Sequence, residues 1–191
     1  MANRGDEWHK AVAERIGEAV AVRRKALGMT AQQLAERCNE LGAPIHRTTI
    51  TKIENGRPRF DLGELLILSV ALDIPPALLV FPQYPDEGFV EVVPRLFETN
   101  ETAVDWLAGR DVLTGFDGNA GTALVRILLT RNEIDDKWAL ADLDKDVAQA
   151  SGKDVSEAHS RTVMRIVNER NSLTAAIRLA KEKLWGGDGD A

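Results

Sequence analysis

The chain has 191 residues, 44% of them apolar and 28% charged, which suits a globular protein of one domain or two small ones. No apolar run approaches the ~20 residues that span a bilayer, and the N-terminal MANRGDEWHK lacks a signal-peptide core. Cys38 is the only cysteine, which excludes an intramolecular disulfide and a cysteine-rich zinc site and makes a reduced, cytoplasmic setting the expectation.

The net charge of −6 divides unevenly. Residues 1–60 hold 11 Lys and Arg against 7 Asp and Glu, a net of +4, while residues 61–191 hold 13 against 23, a net of −10. Within 44–60 the balance is +3, from Arg47, Lys52, Arg57 and Arg59 against Glu54. Such asymmetry points to an anionic partner for the first third more strongly than the overall charge points away from one.

In chain order, Val12, Ile16, Val20 and Leu27 form a helical stripe that Gly28 ends. Thr30 is placed as the N-cap of AQQLAERCNELG, whose Leu34, Ala35, Cys38 and Leu41 give a second apolar face. GAP at 42–44 breaks the chain before HRTTITKIENGRPRF. There Ile50 and Ile53 share one face, and Thr48, Thr51, Lys52 and Asn55 follow i, i+3, i+4, i+7 on another. Gly56 and Pro58 stop that helix. DLGELLILSVALD reads as a fourth, more deeply buried helix with Asp61 at its start, and IPPALLVFP as a short fifth one. The spacing therefore predicts a compact all-α domain over 10–82.

Residues 83–118 read as a linker, with FVEVV as a short strand ended by Pro94. TNETAVDWLAGR is a capped helix with Trp106 buried, and GFDGNAG is a hinge. Over 119–186, Leu124, Ile127, Arg131, Ile134, Trp138 and Ala141 fall at heptad a and d spacing. Val163, Ile166, Arg170, Leu173, Ile177, Ala180 and Leu184 repeat that spacing. With a turn at ASGKD, 150–154, these segments predict a coiled-coil-like antiparallel hairpin. Two helices alone bury little, so dimerisation or partner contact through them is expected.

RRKALGMTAQQLAERC, PIHRTTITKIENGRPRF and LLILSVALDIPPALLVFP, in that order, resemble the XRE family of helix-turn-helix regulators, the Cro and lambda-repressor-like proteins. The resemblance covers roughly 10–82 and implies a five-helix domain in which 31–41 support a recognition helix at 47–55. It implies double-stranded DNA as partner, a regulatory and most simply repressive role, and a phage immunity or bacterial host setting. The physics of the segment agrees: one apolar face holds the helix on its domain, while the other carries side chains able to enter a major groove about 12 Å wide. On that reading Arg47, Thr48, Thr49, Thr51, Lys52 and Asn55 meet bases, and Arg57 and Arg59 meet phosphates. The family's glutamine after the opening threonine is replaced here by Ala31, which passes the phosphate contact to Gln32 and Gln33. Glu54 matches a family glutamate with a structural role, His46 is a weaker cap than the serine common there, and NELGAPIH lengthens the inter-helix connection.

Other chemistry finds no support. DLDKD imitates the start of a calcium loop but has Val147 and Lys153 where glycine and glutamate are required, and the glycines of GFDGNAG match no nucleotide-binding pattern. His9, His46 and His159 lack metal spacing, and with Cys38 they assemble no nucleophile, base and orienter. No enzyme, metal or cofactor is expected. The competing reading is an antitoxin-like or scaffold protein whose acidic C-terminal helices hold another protein, with DNA binding secondary.

Overall fold

The computed structural model describes residues 3–151 and 156–185. It divides into two compact units, Met1–Ala108 and Gly109–Ala191. Both are mainly helical, as the periodicity requires, with one small sheet in the first.

Helix α1 (Arg4–Ala26) starts well before Val12, at Asn3, whose side chain accepts from Gly5 N at 3.4 Å. It buries Ala13, Ile16, Gly17, Ala19 and Val20. Helix α2 (Ala31–Glu40) buries Leu34 and Cys38, and α3 (Arg47–Glu54) buries Ile50 and Ile53. Ile16, Ala19 and Val20 of α1 and the buried residues of α2 and α3 form one core with Leu68, Ala71 and Leu72 of α4 (Leu62–Ala71 and its cap) and Leu79 of α5 (Pro76–Val80). Cys38 lies inside it, and burial pushes its thiol pKa up by disfavouring the thiolate.

Three expectations about this core need correction. Leu27 and Leu41, assigned to apolar faces, are exposed C-cap residues, because each helix ends there and the following glycine turns the chain away. Helix α4 is not the most deeply buried: Leu62, Leu66 and Val70 form a solvent-facing stripe opposite Leu68, Ala71 and Leu72. A helix at the edge of so small a core has only one side to bury, whatever its composition. Its start is as expected, with Asp61 capping Glu64 N at 2.8 Å and the Glu64 carboxylate accepting from Asp61 N at 3.2 Å. Its end is closed by Arg23, which donates to the carbonyls of Leu72 and Asp73, both at 3.0 Å.

Residues beyond α5, read as linker, fold with the first unit up to Ala108. Strand β1 (Phe89–Val93) was expected, but its antiparallel partner β2 (Leu96–Thr99) was not. They turn at Pro94-Arg95, where Arg95 takes φ +73° and its N–H reaches the Glu91 carboxylate at 2.8 Å. Val90 and Val92 face inward. Thr99 caps α6 (Asn100–Leu107), which buries Ala103 and Val104. Trp106, expected to be buried, is 36% exposed, since the two-stranded sheet is too small to cover the last turn of α6.

In the second unit Asn119 caps α7 (Ala120–Ala150), accepting from Thr122 N at 3.0 Å, so the end of the glycine-rich stretch read as a hinge is a helix start. Helix α7 packs along α8 (Ser156–Trp185). Ile134, Ile166 and Ala180 of the expected seam are buried, and Leu124, Ile127, Ala141, Val163, Leu173 and Ile177 are half-buried. Trp138 departs from the expected seam burial at 45% exposed, because two helices cover only the inner edge of so wide a ring. Of the turn assigned to 150–154, residues 152–154 lie outside the described residues. Asp142, Asp144 and Asp146, the calcium-loop imitation, lie within little more than one turn of α7, where successive members of the set point to opposite faces.

Candidate nucleic-acid interface

The candidate interface is built on two short helices, α2 capped at its start and α3 held at its end. Thr30 caps α2 through Gln33 N at 3.2 Å, and the Gln33 side chain returns to Thr30 N at 2.8 Å. This reciprocal cap satisfies two backbone donors that the helix start leaves unpaired, and it commits the Gln33 carbonyl oxygen. Gln32, exposed on the next position, donates to Glu36 at 2.9 Å.

The long connection resolves as a closed turn rather than an extension of α2. Gly42, at φ +84°, lets the chain reverse, Gly42 N reaches Asn39 O at 2.9 Å, and Ala43 N reaches Cys38 O at 3.2 Å. Ile45 then returns to the core, and His46 enters α3 with no side-chain cap bond. The extra residues open a concavity of about 480 Å³ between Gln32, Glu36 and Asn39 of α2 and Pro44, His46 and Arg47 at the entrance to α3.

Helix α3 divides cleanly by face. Ile50 is fully buried and Ile53 nearly so, while Arg47, Thr48, Thr51, Lys52 and Asn55 are exposed and Thr49 is half-buried. Thr51 Oγ1 donates to the Arg47 carbonyl at 3.1 Å, so outward it acts as an acceptor. Asn55 is the C-cap, and its Nδ2 donates to Thr51 O at 2.8 Å. Arg59 is exposed. Arg57 lies differently: its guanidinium is drawn onto the Glu64 carboxylate at the start of α4.

What fixes α3 against the domain was not read from the sequence. Arg24, in the last turn of α1, donates from Nε and Nη2 to both oxygens of Glu54 at 2.5 and 2.8 Å and from Nη1 to Met29 O at 2.6 Å. The two side chains are only 11% and 13% exposed, and the glutamate raises the Arg24 pKa chiefly through these hydrogen bonds. One planar fork thus ties α1, the turn into α2 and the end of α3 together. Gly17 lets α1 lie against this end, since a Cβ there would collide with the Ile53 carbonyl, and Gly56 at φ +74° faces Glu14, whose Cγ would lie 2.6 Å from an added Cβ. Arg24 and Glu54 stand 30 residues apart, beyond the reach of helical periodicity, which explains why Glu54 was assigned a structural role without its partner.

Residues 20–79 match the Helix-turn-helix family model, a span running from the end of α1 to the end of α5. No curated protein and no solved structure matches the chain. The fold, the order of the two helices and this match define the class: the first unit carries an XRE-family helix-turn-helix domain. The protein is a DNA-binding transcription regulator. Among the described residues, no helix is long and apolar enough to cross a membrane.

Proposed function

We propose that the protein is a sequence-specific repressor that acts as a homodimer and reads the major groove of double-stranded DNA with α3. The observation that carries this reading is the division of α3: both isoleucines buried, and an uninterrupted polar face of Arg47, Thr48, Thr51, Lys52 and Asn55 in solvent. Lys52 and Arg47 suit guanine O6 and N7, and the outward lone pairs of Thr51 suit an exocyclic amino group. Thr49, half-buried, lies at the edge of this face. Gln32 and Gln33 at the start of α2, with Arg57 and Arg59 beyond α3, are the backbone contacts that set register. Of the two arginines, Arg59 is free of the ion pair that engages Arg57. Occupying the groove excludes other proteins from the same site, which is the simplest route to repression. The C-terminal hairpin supplies the self-association, because two long helices leave Trp138 and Val167 without cover. The test is binding of labelled operator fragments by wild type and by Lys52→Ala. Wild type should discriminate among sequences and the variant should lose preference at particular positions; equal affinity of both for every sequence would reject the assignment.

A further inference from the structure

The hairpin of α7 and α8 carries, midway along its length, an apolar hollow of about 440 Å³ lined by Asp135, Trp138, Ile166, Val167 and Arg170. Trp138 is half-exposed within it, and Val167 is 39% exposed. The charged members are one anion and one cation: Arg170 Nε donates to Asp135 Oδ1 at 2.7 Å, and both side chains stay open to solvent, 55% and 41% exposed. We infer that this face is an isologous interface, and that its occupant is a second copy of the same hairpin whose two-fold axis runs along the hairpin's length.

The direction of the axis follows from the charges. Asp135 and Arg170 are bonded, so they lie at one height on neighbouring helices. A two-fold axis along the hairpin exchanges α7 with α8 at constant height and sets Asp135 against the partner copy's Arg170, and Trp138 against its Val167. An axis across the hairpin through the same hollow would set each Asp135 on its own copy and each Arg170 likewise, placing like charges together. Only the first arrangement turns the ion pair into a closed ring of four alternating charges. Either axis leaves each helix antiparallel to both of its neighbours, as in a four-helix bundle, so the charges decide between them.

The area suffices. Thirty residues of helix extend about 45 Å, and two helices side by side present a face about 20 Å wide. That is roughly 900 Å² per copy, against the ~800 Å² per partner of a stable interface. The need is also visible: among the described residues of the hairpin only Ile134, Ile166 and Ala180 are buried hydrophobics. In this arrangement the two chains enter the bundle at the same end.

The inference rests on the homodimer reading, and sedimentation velocity on the full chain separates the two. Wild type should be a dimer at micromolar concentration; a monomer would reject the dimer itself. Arg170→Asp and Asp135→Arg should each weaken dimerisation at least about tenfold, by collecting like charges at the centre. The doubly reversed Asp135→Arg, Arg170→Asp protein should recover it, which also shows that the single variants fold. Trp138→Glu should fail to dimerise, and Leu143→Glu, on the outer side of α7, should not differ from wild type. If the three central single variants stay dimeric, or if only Leu143→Glu dissociates, the dimer stands and this face is wrong. Spin labels on a cysteine at exposed Ala123, with Cys38 replaced, should lie within about 25 Å of each other, on the two α7 helices that face each other diagonally at one end of the bundle. A separation near ~36 Å, set by 1.5 Å per residue to either side of the hollow, would instead assign the crossed arrangement and overturn the axis.

Discussion

Replacing Glu54 by Gln is the most informative single change in the first unit. It removes the anion and leaves the Arg24 guanidinium, 11% exposed, with Met29 O as its remaining strong acceptor. Stripping one partner from a buried pair costs about 3–5 kcal/mol, most of it the desolvated charge left behind. The slight exposure here lets water reach that charge, so about 2–4 kcal/mol is the expected loss. For a unit of this size that lowers the melting temperature by roughly 10–20 °C. The assay is urea unfolding followed by the reactivity of Cys38, which sits in the same core and reports this unit alone. A second variant separates bond from charge. Arg24→Met with Glu54→Leu removes both partners at similar volume and should regain most of the loss, because a packed apolar pair replaces an ionic one at little net cost. A loss below about 0.5 kcal/mol for Glu54→Gln, typical of an exposed pair, would refute the view that this fork fixes the recognition helix.

Gly17→Ala should destabilise by about 2 kcal/mol or more, since the added methyl meets the Ile53 carbonyl. Gly5→Ala, which meets nothing, should be neutral or gain up to ~1 kcal/mol in the same melting experiment. Cys38 should react with an alkylating reagent at the unfolding rate rather than the rate of an exposed thiol. Its raised pKa means that the folded state holds the proton more tightly. Its contribution is therefore constant below the unfolded thiol value of about 8.5 and declines as pH rises above it, a slope that Cys38→Ala should remove. Arg59→Ala should weaken binding to all sequences and reduce the slope of log affinity against log salt by about one, measured by titration at several salt concentrations.

Much of the first unit was legible because its signals are local. Thr30, Asp61, Gly28 and Gly56 mark helix ends by their own chemistry, and Ile50 with Ile53 marks the buried face of α3 by spacing alone. What escaped depends on neighbours that no window contains. Leu62, Leu66 and Val70 are as apolar as Leu68, and only the limited size of the core leaves them outside. Strand β2 was missed because LFET is short and only its pairing with FVEVV makes it a strand. The polar face of the candidate interface could be named residue by residue, but the engagement of Arg57 by Glu64 could not, since it requires knowing where α4 begins in space. The reciprocal cap of Gln33 on Thr30 is legible as a threonine followed three residues later by a glutamine, and it went unread. The seam of α7 and α8 followed from heptads, whereas the half-exposure of Trp138 followed from the number of helices present.

The central claim is that α3 reads DNA sequence, and selection of bound fragments from a random double-stranded library tests it most directly. The full chain should enrich one motif with two related half-sites about one helical turn, roughly 34 Å, apart. The Thr51→Ala and Lys52→Ala proteins should enrich motifs relaxed at particular positions within each half-site. Recovery of no motif by wild type, or of an unchanged motif by both variants, would contradict it.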